Sequence, residues 1–209
     1  MGQYYYPVSL DKKEYLLSHD YDNGLKLMEH SYIGNNFMNA IERLLIPGGA
    51  WYKTKILWAG DYADHEPGYA KTKDGYDVNI YSIIYKEGTK IKPSDERVDV
   101  KYHYLTNHTK KVVIDLNKIK EDGDGWKIHP LSLLTCEGNG RGGGDFHGED
   151  SKIGSWARNV ISLEESVLPG YELCDDEDGQ FVEEGYSNPV FVQKDGNSAL
   201  KPDLILGNK

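Results

Sequence analysis

The chain has 209 residues, a formal net charge of −10, 38% hydrophobic residues and 11% aromatic residues, including 16 tyrosines. This length predicts one domain over 1–209, with 164–209 as a candidate peripheral acidic extension. The charge excludes a duplex-binding protein, which needs a basic face to release counterions, and no apolar stretch approaches the length of a membrane span.

From the N-terminus, Met1 to Leu10 lacks the charged and apolar regions of a signal peptide, and a cytoplasmic chain is expected. Position 6 is Tyr6 where an N-myristoylation signal has Ser or Thr. Tyr4 to Leu10 is aromatic and β-favouring and predicts the first strand. Asp22 to His30 is a candidate short helix, weakened by Gly24. The clearest helical signal runs from Ser31 to Ile46, about 31–46. Phe37, Ile41, Leu44 and Leu45 share one helix face there, Asn35 is a candidate N-cap and Pro47-Gly48-Gly49 is a stop.

Strands are expected next. Lys53 to Ala59 is a short β run, and Asp74-Gly75 signals a hairpin leading into a long strand from Tyr76 to Lys86. Tyr102–Leu105 and Lys111–Leu116 flank a tight turn. Leu131–Cys136 reads as a strand, Ile153–Leu163 as a strand or short helix, and Val190–Gln193 with Leu200–Leu206 as a third hairpin. The resulting expectation is an α+β fold: an antiparallel-rich sheet with one principal helix packed on it.

The run Glu137 to His147 places Gly138, Gly140, Gly142, Gly143 and Gly144 with Asn139 and Arg141 ahead of Asp145 and His147. Glycine costs backbone entropy on folding, so five together need a reason. The run fits G-x-G-x-x-G after an expected strand, but no amphipathic helix follows to carry a pyrophosphate, so a dinucleotide fold is rejected. A P-loop fails because Gly144 stands where its lysine belongs. Two readings stand. In one, successive backbone N–H groups form an anion-binding nest with Arg141 as a bidentate anchor. In the other, the run is a structural turn needing positive φ.

Two carboxylate–histidine sets follow the same logic. Asp145, His147 and Glu149 alternate, and Asp61, Asp64 and His65 form a second set. Together they can hold a hard divalent cation or supply an acid and a base; the other reading of either set is a solvated loop with caps and Asx-turns. Asp175 to Gly179 is not a calcium loop, since Cys174 and Gly185 stand at its first and twelfth positions. Cys136, just before the glycine run, is a candidate nucleophile or a buried core residue. Trp58 and Trp156 each sit near a glycine and can stack a ring or pack in the core. From Glu164 to Glu184 there are nine carboxylates and no Lys or Arg, which marks either a solvated edge or a surface for a basic partner.

The segments Met1-Gly2-Gln3-Tyr4-Tyr5, Gly24 to Glu29, Ala59 to Asp64, Gly138 to Asp145 and Ile153 to Ala157 resemble a family of bacterial and phage proteins that begin MGQYY and carry GNGRGGGD followed by IGSWA. In that family the tryptophan motif often continues as Gly-Asp-Arg, with the AGDYAD element after it. Here Arg158-Asn159 follows, and AGDYAD lies upstream. The resemblance implies a phage or gut-bacterial setting and assigns no catalytic role.

The leading expectation is a small-ligand-binding protein for a phosphorylated metabolite or nucleotide signal, in a phage an anti-defence factor. Gly138, Asn139, Gly140, Arg141, Gly142, Gly143 and Gly144 would wall the site, with Trp156 beside it. The alternative is a metal-assisted phosphodiesterase or other hydrolase using Asp61, Asp64, Asp145 and His147, with Asp145, His147 and Glu149 as ligands of a divalent cation. A third expectation is an acidic inhibitor that meets a basic protein through Glu164–Glu184.

Overall fold

The computed structural model describes residues 3–122, 125–138, 146 and 152–174. Among these the fold is α+β, built on one mixed sheet. Its strands are Tyr5–Ser9 (β1), Glu14–Tyr15 (β2), Thr54–Gly60 (β3), Thr89–Lys90 (β4), Tyr104–Asn107 (β5), Val112–Asp115 (β6), Cys136–Glu137 (β7), Asn159–Glu164 (β8) and Glu172–Leu173 (β9). The helices are Asn36–Leu45 (α1), Ile80–Glu87 (α2) and Pro130–Thr135 (α3).

The sheet order is β4-β2-β1-β3-β8-β5-β6-β9, with β7 on β3 outside that path. The pairs β1–β2, β1–β3, β3–β8, β5–β6 and β5–β8 are antiparallel. The pairs β2–β4, β3–β7 and β6–β9 are parallel. One edge of β3 is therefore divided: Thr54–Ile56 pairs with β8, while Trp58–Ala59 pairs with β7.

Alternation along the strands separates two cores. On the first face Tyr5, Ile56, Trp58, Leu105, Ile114, Ile161 and Leu163 are buried with Phe37 and Ile41 of α1 and Leu131 and Leu134 of α3. On the second face Tyr6, Val8, Leu57 and Ala59 are covered by Ile80 and Ile84 of α2. Tyrosine supplies much of this second layer, with Tyr6 stacked on Tyr81 at 4.2 Å between ring centroids.

The helix expected over 31–46 begins later, at Asn36. The Asn35 side chain accepts from the Phe37 amide at 2.8 Å, as an N-cap should. Residues before the cap pair elsewhere: Ile33 N donates to Lys127 O and His129 N to Ser31 O, each at 2.8 Å. Two expected strands are helices. The Asp74-Gly75 turn forms, but Tyr76 to Lys86 yields α2, where Ile80, Ile83 and Ile84 sit at i, i+3 and i+4 and Asn79 caps the Ser82 amide. Leu131–Thr135 falls in α3 and Cys136 opens β7, with Pro130 at the first turn of the helix and the His129 ring accepting from the Leu131 amide. Every residue of α3 is buried, so its sequence shows no polar face from which a period can be read. The helix expected over Asp22–His30 reduces to a 3-10 turn at Leu27–Glu29. The third hairpin expectation lies outside the described residues.

Candidate functional site

At one end of the sheet, four segments distant in sequence meet around the close of β7. Tyr4 N donates to Asp61 Oδ1 at 3.1 Å, and Asp61 N returns to Tyr4 O at 3.0 Å, extending the β1–β3 pairing past Gly60. Gln3 is fully buried beneath this junction and its Oε1 accepts from the Tyr5 hydroxyl at 2.8 Å. Gly138 follows β7 with φ +136, and a Cβ there would overlap the Gln3 side-chain amide. Only glycine satisfies both the dihedral and the contact. Gly60 is confined too, since a Cβ would lie 2.5 Å from Glu137 O. The turn into β8 closes the group: Gly154 N donates to Leu133 O at 2.8 Å and Trp156 N to Leu134 O at 2.7 Å.

Arg158 binds this end together. Its Nη1 and Nη2 donate to the two carboxylate oxygens of Glu66 at 2.8 and 2.6 Å. Its Nη2 and Nε donate to Glu137, the former to Oε2 at 2.7 Å and the latter to Oε1. Two forked carboxylates thus occupy the guanidinium. Arg158 takes φ +63, a left-handed conformation uncommon for any residue but glycine, and its amide donates to Ile56 O at 2.9 Å. The arginine bonds hold the Glu66 carboxyl below its ordinary range, while the two carboxylates raise the guanidinium above its own. Partial burial instead pushes the Asp61 carboxyl up, against the pull of the Tyr4 amide.

The residues expected to form a site divide as follows. Asp61 stands at the convergence, and its carbonyl also accepts from Asn79 Nδ2 at 2.8 Å, so it ties the start of α2 to β1 and β3. Asp64 is exposed on the loop that follows. Trp156 is buried in the first-face core at 5% exposure, which places its ring among apolar neighbours. Cys136 is also buried, with its thiol donating to Leu133 O at 3.3 Å. Gly138 is at the convergence; Asn139, Gly140, Arg141, Gly142, Gly143, Gly144, Asp145, His147 and Glu149 lie outside the described residues. Among the described residues no group of three or more His, Cys, Asp or Glu side chains is placed to hold a metal ion. No described helix is long and apolar enough to cross a membrane.

The glycine run is preceded by α3 and a two-residue strand, rather than by the long strand that its sequence implies. Neither Glu66 nor Arg158 is marked by a motif in the sequence. Their only signal was a charged residue beside a Trp-Ala or His turn, because the partners lie 92 positions apart.

A second polar cluster sits in the middle of the sheet. Ser162 and Glu164 alternate with the core residues Ile161 and Leu163, so they point to the second face, beyond the cover of α2. Ser162 Oγ donates to Glu164 Oε1 at 2.7 Å, and the Tyr52 hydroxyl donates to the same oxygen at 3.0 Å. His108 Nε2 lies 2.7 Å from Ser162 Oγ, and its Nδ1 2.9 Å from the Tyr171 hydroxyl. Because ionised Glu164 only accepts, the Ser162 proton points to it. His108 must then donate from Nε2 and accept at Nδ1 from Tyr171. This polarity is the reverse of a nucleophile activated by histidine, and Ser162 is fully buried. Glu164, the first carboxylate of the acidic stretch, therefore faces the interior rather than a partner.

Comparison with protein-family models, with curated proteins and with solved structures finds no match for this chain.

Proposed function

We propose that this protein is a cytoplasmic binding protein for a small phosphorylated ligand of the nucleotide class, seated where β7 ends and the glycine run begins. The observation that supports this reading is the convergence of Gln3, Gly60 and Gly138 beside Asp61, where a Cβ at Gly138 would overlap the Gln3 side-chain amide and one at Gly60 would lie 2.5 Å from Glu137 O. Tightly constrained backbone at the mouth of a glycine-rich segment is the setting in which main-chain N–H groups meet an anion. The nearby guanidinium of Arg158 is already occupied by Glu66 and Glu137. The cation assigned to the ligand is therefore Arg141.

Calorimetry with a panel of nucleoside mono-, di- and triphosphates and cyclic nucleotides tests this directly. A ligand should bind the native chain, and Arg141→Ala should weaken it at least about tenfold, or about 1.4 kcal/mol, at an unchanged thermal midpoint. Unaltered affinity in Arg141→Ala overturns the assignment. Turnover of a panel member that is abolished by EDTA replaces the binding reading with a metal-assisted hydrolase.

A further inference from the structure

We propose that Arg158 is the positioning residue of this ligand site: by gripping Glu137 and Glu66 together it sets where the strand end at Glu137–Gly138 stands. This rests on the binding reading above, and extends it to a residue that does not touch the ligand.

Three observations lead there. Glu137 is the last residue of β7, a strand of two residues whose sheet contact is confined to Trp58 and Ala59. So short a pairing holds a strand end weakly, and side-chain bonds must supply the remainder. Both Glu137 oxygens are bonded by Arg158, adjacent in the chain to Gly138 and its φ of +136. The other fork of the same guanidinium reaches Glu66, whose amide donates to Val78 O at 2.8 Å. One side chain thus joins the β7 end, the 61–79 loop that carries Asp61, and the start of β8. Lysine cannot reproduce this, since a single ammonium has no pair of planar forks. Arg158 also holds a left-handed backbone conformation while its guanidinium reaches Glu137 of β7.

The test compares native protein with Arg158→Asn, Arg158→Lys and Glu137→Gln. Asparagine tolerates the left-handed region, so Arg158→Asn removes the forks without penalising the backbone. Hydrogen exchange over residues 134–138 should accelerate about tenfold in Arg158→Asn and by less in Arg158→Lys, while Tyr104–Asn107 and Val112–Asp115 keep native rates. Affinity for the best nucleotide of the panel should fall about tenfold in Arg158→Asn and recover in part in Arg158→Lys, under conditions where circular dichroism shows both fully folded. Lys101→Ala, which removes the surface pair with Glu165, serves as control and should leave affinity unchanged. If Arg158→Asn does not fold, Glu137→Gln keeps the volume and should accelerate exchange about threefold through the loss of one charged acceptor.

Exchange within about twofold of native in both variants overturns the inference. So does accelerated exchange with undiminished nucleotide affinity, which would make Arg158 a structural brace alone. If the native protein binds no member of the panel, the binding reading fails. The exchange result then decides the bracing of Glu137–Gly138 by itself.

Discussion

Two polar clusters among the described residues flank and enter β8, and each treats its glutamates differently. At the start of the strand, Arg158 is shared by Glu66 and Glu137, all three partly open to water, with side-chain exposures of 36, 16 and 27%. Within the strand, Ser162 and Glu164 are buried, and a chain of neutral donors from Tyr171, His108, Ser162 and Tyr52 ends on one carboxylate. The first cluster balances charge against charge where salt and water screen it. The second supports one buried charge with hydrogen bonds, leaving Lys53 at 3.8 Å as its nearest cation. The buried cluster ties β8 to the segments that carry Tyr52, His108 and Tyr171.

The largest expected effect comes from breaking the buried cluster. Glu164→Ala removes the acceptor of Ser162 and Tyr52, and urea unfolding should show a loss of about 3 kcal/mol that 1 M salt does not change. Acidification should produce a loss of similar size from a third site, His30. The indole of Trp58 donates to His30 Nε2 at 3.2 Å, and His30 Nδ1 faces Gly24 O at 3.0 Å. Indole only donates, so the ring is neutral with its proton on Nδ1. Full burial holds its pKa down to about 4. The unfolded chain then binds the proton first, so stability is complete above about pH 6.5 and falls by about 3 kcal/mol as pH drops to about 4. Unfolding curves across that window check the sign; stability that is flat with pH would contradict it.

Arg158→Asn should cost less, about 1–2 kcal/mol at low salt, because the cluster is partly solvated and Glu66 and Glu137 can turn outward. Raising salt should narrow the difference from native, in contrast to Glu164→Ala. The smallest effect separates the clusters by titration. Burial holds the His108 imidazole below its ordinary range, and Lys53 pushes the same way while Glu164 opposes them. Replacing Glu164 with Gln should therefore lower the His108 titration further, as read by NMR of the ring. An upward movement would show that Glu164 is not the carboxylate His108 feels.

Much of the frame was legible in the chain itself. The period of Phe37, Ile41, Leu44 and Leu45 marked α1, and Asn35 marked its cap, because both signals are local. The β5–β6 hairpin was visible for the same reason: its turn residues and flanking strands are adjacent. Helix α3 was misread because burial on every side erased polar punctuation, and α2 because its Ile- and Tyr-rich run reads as β-favouring although Ile80, Ile83 and Ile84 share one helix face. At the site, Gly138 and Asp61 stood out as residue types, while Glu66 and Arg158 did not; in the second cluster His108 did not, and Glu164 stood out only as the start of an acidic stretch. No spacing rule joins positions 66, 137 and 158, or 52, 108, 162 and 171.

The sequence by itself thus determined the class of fold, the principal helix and its cap, and the place where glycine is concentrated. These follow from periodicity, capping and backbone freedom, each expressed within a few residues. Tertiary structure alone decided that β3 would share one edge between β7 and β8, that Arg158 would answer two distant carboxylates, and that Glu164 would face inward. Those outcomes depend on which chain segments close against one another, and a charge acquires its partner, or its burial, only when that closure is made.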